Sequence, residues 1–157
     1  MLPGWLAALA ACAPEVETGP SAPTYAYAAP GYGSYPATAV TPLQAPSRAR
    51  GSVVAWAASQ VGHPYCWGGT GPRCFDCSGL AQRAWQQVGV QLPRSADDVA
   101  RRLPSVPLDQ VQPGDLLWWP GHVAIYAGNG WTVEALNAAS GVVLRRAPRP
   151  RRAFRPI

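Results

Sequence analysis

Three side chains of this 157-residue chain have the types and order that catalysis by a thiol requires: Cys77, His122 and Glu134. A thiolate is the reactive form of cysteine, and a neighbouring imidazolium stabilises it. The imidazole then protonates the leaving amine, while a third polar group fixes its tautomer and orientation. Cys77 ends the loop Gly68-Gly69-Thr70-Gly71-Pro72-Arg73-Cys74-Phe75-Asp76 and opens a helical pattern. Its sulfur would therefore sit beside unpaired backbone N–H groups, which favour the thiolate. The chain has two histidines. His63 precedes a proline in a loop near Cys77. His122 opens a strand-like run and has an acidic partner downstream, so it is the preferred base. Backbone N–H groups at Cys77 and Ser78, with the Tyr65 hydroxyl, are candidates for stabilising an oxyanion.

Those residues need elements to carry them. Val53, Val54, Trp56, Ala57 and Val61 fall near one face of a helix expected from Ser47 to Val61, with Gly62 as its stop. Leu80, Ala81, Ala84, Trp85 and Val88 recur at three- and four-residue steps after Cys77, predicting a helix capped by Asp76 and ended by Gly89. Ser95 caps a third, short helix with Asp97 and Asp98 in its first turn. After Pro113-Gly114 the pattern turns to strands: Asp115 to Trp119, His122 to Ala127, Trp131 to Ala135 and Val142 to Leu144. Gly128-Asn129-Gly130 reads as a three-residue hairpin loop. That loop pairs Ala127 with Trp131, Ala124 with Glu134 and His122 with Leu136. His122 and Glu134 then share a face diagonally, with Cβ atoms roughly 7 Å apart. A one-residue slip would separate them. Helices followed by a small antiparallel sheet make an α+β domain.

The four cysteines admit several readings. Cys74 and Cys77 have the Cys-x-x-Cys spacing of a redox pair, but the thioredoxin-like βαβ setting is absent. His63, Cys66, Cys74 and Cys77 fit a zinc knuckle poorly, because Cys66 and Cys74 are too far apart. In an exported protein a simpler solution pairs Cys66 with Cys74 and leaves Cys77 free. No metal or cofactor is expected. Leu9-Ala10-Ala11-Cys12 has the small-residue-then-Cys form of a bacterial lipoprotein cleavage site, with Cys12 as the lipidated residue. The preceding apolar run is short and carries no positive charge, and it is too short to span a bilayer. The expected divisions are a signal-like segment at 1–12, a Pro/Ala/Tyr-rich disordered tether at 13–46, a folded domain at 47–147 and a basic tail at 148–157. The net charge of +5 comes with no lysine, and six of the thirteen arginines fall in the last thirteen residues. Such an end is either a solvated basic end, the preferred reading, or a surface that meets an anionic polymer or membrane. Nucleic acid is not expected, because no recognition motif accompanies the charge.

Pro64-Tyr65, Trp67-Gly68-Gly69, Phe75-Asp76-Cys77-Ser78-Gly79-Leu80, Leu92-Pro93-Arg94-Ser95, Gln112-Pro113-Gly114-Asp115-Leu116 and the run from His122 to Gly130 come in an order and spacing that resembles NlpC-type cell-wall peptidases. The resemblance covers about residues 50–147. It implies a papain-like fold, with the nucleophile on a helix packed against a sheet that carries the base. It implies hydrolysis of peptidoglycan stem peptides, commonly between D-γ-glutamyl and a diamino acid. The alternatives are a wall amidase or acyltransferase using the same three residues, or a non-catalytic wall-binding module. The segment ending at Cys12 adds the expectation of export to the cell envelope. By the same resemblance Cys77 is the nucleophile, His122 the base, Glu134 the third polar residue and Tyr65 the oxyanion-side tyrosine. The pair Cys66 and Cys74 departs from the family pattern.

Overall fold

The computed structural model describes residues 45–157, so the expected leader, Cys12 and the expected tether up to residue 44 lie outside the described residues, while 45 and 46, expected in the tether, begin the first helix. Three helices come first: α1 (Ala45–Ser59), α2 (Cys77–Gln86) and α3 (Ala96–Arg102). Six strands follow: β1 (Ser105–Val106), β2 (Leu116–Trp119), β3 (His122–Gly128), β4 (Trp131–Asn137), β5 (Gly141–Arg146) and β6 (Arg152–Phe154). They form one antiparallel sheet in the order β1-β6-β2-β3-β4-β5. The expected α+β class holds.

The helices α2 and α3 start where the sequence supplies a cap. Asp76 is extended (φ −95°, ψ 175°), and its carboxylate accepts from the Gly79 N–H at 2.6 Å. Ser95 accepts from the Asp98 N–H at 3.0 Å and donates to the Asp98 carboxylate at 2.7 Å. Such caps satisfy backbone donors that the first turn leaves without partners. The regular part of α2 ends at Gln86. The chain then turns through Gly89 (φ +79°), and the Val90 N–H returns to the Trp85 carbonyl at 3.1 Å.

The core lies where α1 and α2 meet one face of the sheet. Val53 and Ala57 of α1 and Leu80, Ala81, Ala84 and Trp85 of α2 are buried against Leu116, Val123, Ile125, Val133, Val142 and Phe154. These strand residues share a face by the two-residue period and the observed register. Burying such a side chain contributes roughly 1.5–3 kcal/mol, so the core that fixes α2 against β3 outweighs the small contribution of any single cap.

Two expectations change. The expected basic tail at 148–157 is not a separate tail. Arg152–Phe154 forms β6 between β1 and β2, and Phe154 is fully buried. Arg155 holds the buried Asp115 carboxylate through two hydrogen bonds of 2.8 and 2.7 Å. The β3–β4 hairpin also differs at its tip. Asn129 (φ +51°) and Gly130 (φ +77°) make a two-residue turn, and Gly128 rather than Ala127 pairs with Trp131. Positive φ at both turn positions suits the twist of a hairpin and favours Asn-Gly. The extra residue is taken up as a bulge between Tyr126 and Gly128. Below the bulge the register is the expected one, with Tyr126 opposite Thr132 and Ile125 opposite Val133.

Candidate active site

The start of α2 is built by the loop before it. Cys66 and Cys74 are joined as a disulfide, which ties the ends of that loop together. Their sulfurs are therefore committed to each other, and neither the Cys74–Cys77 redox pair nor the zinc reading stands. Cys77 is the free cysteine of the described residues and is partly exposed. The Asp76 N–H donates to the Gly69 carbonyl at 2.9 Å, which brings the glycine loop over the first turn of α2. Gly79 makes that approach possible, since a Cβ there would lie 2.0 Å from the Gly69 oxygen.

Asp76 does more than cap the helix. Its carboxylate also accepts from the Gly68 N–H at 2.9 Å and from both terminal nitrogens of Arg94, at 3.1 and 2.6 Å. Ser78 is buried, and its hydroxyl lies between this carboxylate (3.3 Å) and Arg94 (2.9 Å). The Ser78 hydroxyl is thus already engaged, and only its backbone N–H remains for an oxyanion. Tyr65 packs against the core and lines the same cleft as Cys77. Burial, with the charges of Cys77 and Asp76, pushes its phenol above the usual value, so the hydroxyl stays a proton donor. The cleft has a volume of about 360 Å³, and Trp67 stands at its rim with 91% of its surface exposed. Gly121, just before His122, also borders it.

His122 opens β3 opposite Trp119 of β2, and the two rings lie 5.9 Å apart. Its Nε2 is 2.5 Å from Glu134 Oε2. That contact leaves Nδ1 as the ring nitrogen for Cys77. Glu134 is 1% exposed, and its other oxygen accepts from Thr132 Oγ1 at 3.0 Å and Arg145 Nε at 2.8 Å. Burial pushes the Glu134 carboxyl up, but these donors and the His122 charge outweigh it and hold it down at about 2. Burial pushes His122 down, yet its hydrogen bonds and attraction to Cys77 and Glu134 raise it to about 9. Burial likewise raises the Cys77 thiol, while hydrogen bonding to His122 and to the Val123 N–H brings it below its ordinary value. The shifts all act in one direction, toward a thiolate beside an imidazolium with a carboxylate behind. This arrangement can attack a carbonyl carbon and supply a proton to the departing group.

The structure thus brings Cys77, His122, Glu134 and Tyr65 into one site. His63 is elsewhere engaged: its Nδ1 lies 3.0 Å from the Gln60 carbonyl and its ring packs on Phe75 at 5.9 Å. Arg145, Thr132 and the Asp76–Arg94 pair belong to the site but were not among the expected site residues. Arg145 is masked in the sequence by the arginines around it. The spacing Thr132-x-Glu134 on one strand was the available signal for the threonine.

The NlpC/P60 family model matches residues 62–150. A probable endopeptidase of Mycobacterium tuberculosis is 43% identical over 102 residues, which are 63% of this chain and 26% of that protein. A probable endopeptidase of Corynebacterium glutamicum is 40% identical over 100 residues, 61% of this chain and 48% of its own length. The chain thus spans between a quarter and a half of the length of these relatives. Among solved structures, the peptidoglycan hydrolase RipB of M. tuberculosis superposes with a TM-score of 0.67 at 33% identity, covering 74% of this chain and 69% of that one. With the helix that carries Cys77 packed on an antiparallel sheet, and with matches of this extent, the chain belongs to the NlpC/P60 family.

Proposed function

We propose that the protein is a cysteine endopeptidase that hydrolyses peptidoglycan stem peptides, at the bond between D-γ-glutamyl and a diamino acid. The observation that carries this reading is the contact of 2.5 Å between His122 and the buried Glu134, beside a free cysteine at the head of α2. Cys77 Sγ attacks the γ-carbonyl carbon. Backbone N–H groups at the start of α2 and the Tyr65 hydroxyl stabilise the oxyanion. His122 gives its proton to the diamino acid nitrogen as the amide bond breaks, leaving a thioester on Cys77. His122 then takes a proton from water, which hydrolyses the thioester and frees the γ-carboxyl group. Glu134 holds the ring so that one nitrogen always faces the sulfur.

The names of the relatives support the substrate class: one is a peptidoglycan hydrolase and two are probable endopeptidases. The Cys66–Cys74 disulfide supports export, since such bonds persist in oxidising compartments. Membrane attachment through Cys12 belongs to the same proposal and is checked by metabolic labelling with a fatty acid, comparing the chain with its Cys12→Ser variant. The bond itself is tested on a defined muropeptide with mass identification of products. A free diamino acid amine paired with a free γ-carboxyl is expected. Release of intact stem peptide from the sugar would instead make the enzyme an amidase.

A further inference from the structure

Glu134 lies wholly out of solvent, and its two oxygens serve different partners. Oε2 accepts from His122, while Oε1 accepts from Arg145 and Thr132. Register explains how they meet. Thr132 pairs with Arg145 across β4 and β5, and Glu134 is two residues further on the same face. A slip of one residue would send Arg145 to the opposite face. The arginine sits on β5, the edge strand of the sheet, with its side chain 38% exposed. The orienting carboxylate is therefore held between two cations, one mobile in its proton and one permanent.

That division matters for the proton. In the proposed reaction His122 must release a proton to the leaving amine and later take one from water. A buried carboxylate facing imidazolium alone would hold that proton strongly. The permanent charge of Arg145 draws on the same carboxylate and repels the imidazolium, so it opposes the locking effect. Other groups facing His122 do not supply this. Cys77 at the head of α2 is an anionic partner, Trp119 of β2 is neutral, Asp97 of α3 accepts from the neighbouring Gly121 N–H at 3.3 Å, and Arg94, the other cation near Cys77, is paired with Asp76 at 2.6 Å.

We propose that Arg145 is a positioning residue for the reaction: it anchors Oε1 of Glu134 and shares its charge, so that Glu134 orients His122 without locking it as an imidazolium. This rests on the roles given above to Cys77, His122 and Glu134.

The test uses Arg145→Gln, which keeps a hydrogen-bond donor but removes the charge, and Arg145→Lys, which keeps the charge. The side chain is only half-buried and sits on an edge strand, which makes both compatible with folding, and circular dichroism checks it. The measurement is the pH profile of kcat/KM, together with the pH profile of iodoacetamide alkylation at Cys77, located by peptide mapping. In Arg145→Gln the basic limb moves up from about 9 by about half to one pH unit, the size expected for losing one half-exposed charge. kcat falls more than KM changes. In Arg145→Lys the limb stays near its wild-type position. A limb that stays put or moves down in Arg145→Gln, or moves equally in both variants, overturns the proposal. Both profiles are read beside Cys77→Ala. If that variant cleaves normally, the underlying reading fails; if it is inactive while the limbs do not move, only the role of Arg145 fails.

Discussion

Three contacts define the site at the scale of single residues: the Cys77 thiol with His122, His122 with Glu134, and Glu134 with Arg145. Glu134→Gln keeps the size of the side chain but removes the charge that stabilises the imidazolium. A loss of about 100-fold or more in kcat is expected, by analogy with orienting carboxylates in other triads. Steady-state kinetics on a soluble muropeptide checks it, and a loss under threefold would contradict the role. Glu134 also couples stability to pH. Its folded pKa is depressed from 4.5 to about 2. Its contribution is therefore fully present above about 4.5 and is lost as pH falls toward 2. Urea melts at pH 7 and pH 3 should show wild type losing stability relative to Glu134→Gln, and a constant difference would contradict the linkage. At this scale the sequence was informative, because Cys77, His122 and Glu134 stand out by type and by hairpin register. Arg145 did not stand out. Its role comes from a diagonal across β4 and β5, and nothing distinguishes it locally from Arg146, which stacks on Trp131 at 5.2 Å.

The elements explain why those contacts are fixed. The head of α2 depends on Asp76, which joins a cap, a loop amide and a guanidinium. Asp76→Ala removes a cap of about 1 kcal/mol and leaves Arg94 without its partner. A loss of about 2 kcal/mol is expected, kept low because the Arg94 side chain is 44% exposed. Thermal or urea unfolding measures it, and an unchanged midpoint would show that the network adds nothing. The loop before α2 depends on the disulfide. The variant with Cys66→Ser and Cys74→Ser should lose about 2–3 kcal/mol in the chain-entropy model, and equal stability with and without reductant would contradict that. The helices and the main strands were legible from apolar period and caps. β1 and β6 were not, since Ser105–Val106 and Arg152–Phe154 are two and three residues long. Their inward side chains are too few to show a two-residue period. What makes β6 a strand is a non-local fact: Phe154 fills the core beside Leu116.

For the whole molecule, the C-terminal arginines are the largest revision. Two of the six are committed to buried carboxylates, Arg145 to Glu134 and Arg155 to Asp115. A charge count cannot separate them from the exposed Arg146, Arg149, Arg151 and Arg152, because the buried carboxylates that select them lie 11 and 40 residues away. Arg155→Met should destabilise the domain by about 2–3 kcal/mol, the lower part of the range for breaking a buried pair, because the arginine side chain is itself 27% exposed. Chemical denaturation reads this directly, and a change under about 0.5 kcal/mol, the level of ordinary surface substitutions, would contradict it. The described residues bring together a helix carrying a thiol, a sheet carrying the His122–Glu134 pair, and a cleft that opens on Cys77. The claim that this site cuts peptidoglycan stem peptides through Cys77 is tested most directly by the rate of release of soluble fragments from purified peptidoglycan, comparing wild type with Cys77→Ala at equal folded concentration. Release by the wild type and a loss of at least about 1000-fold in the variant is the predicted result. Fragments released at a similar rate by Cys77→Ala would contradict it.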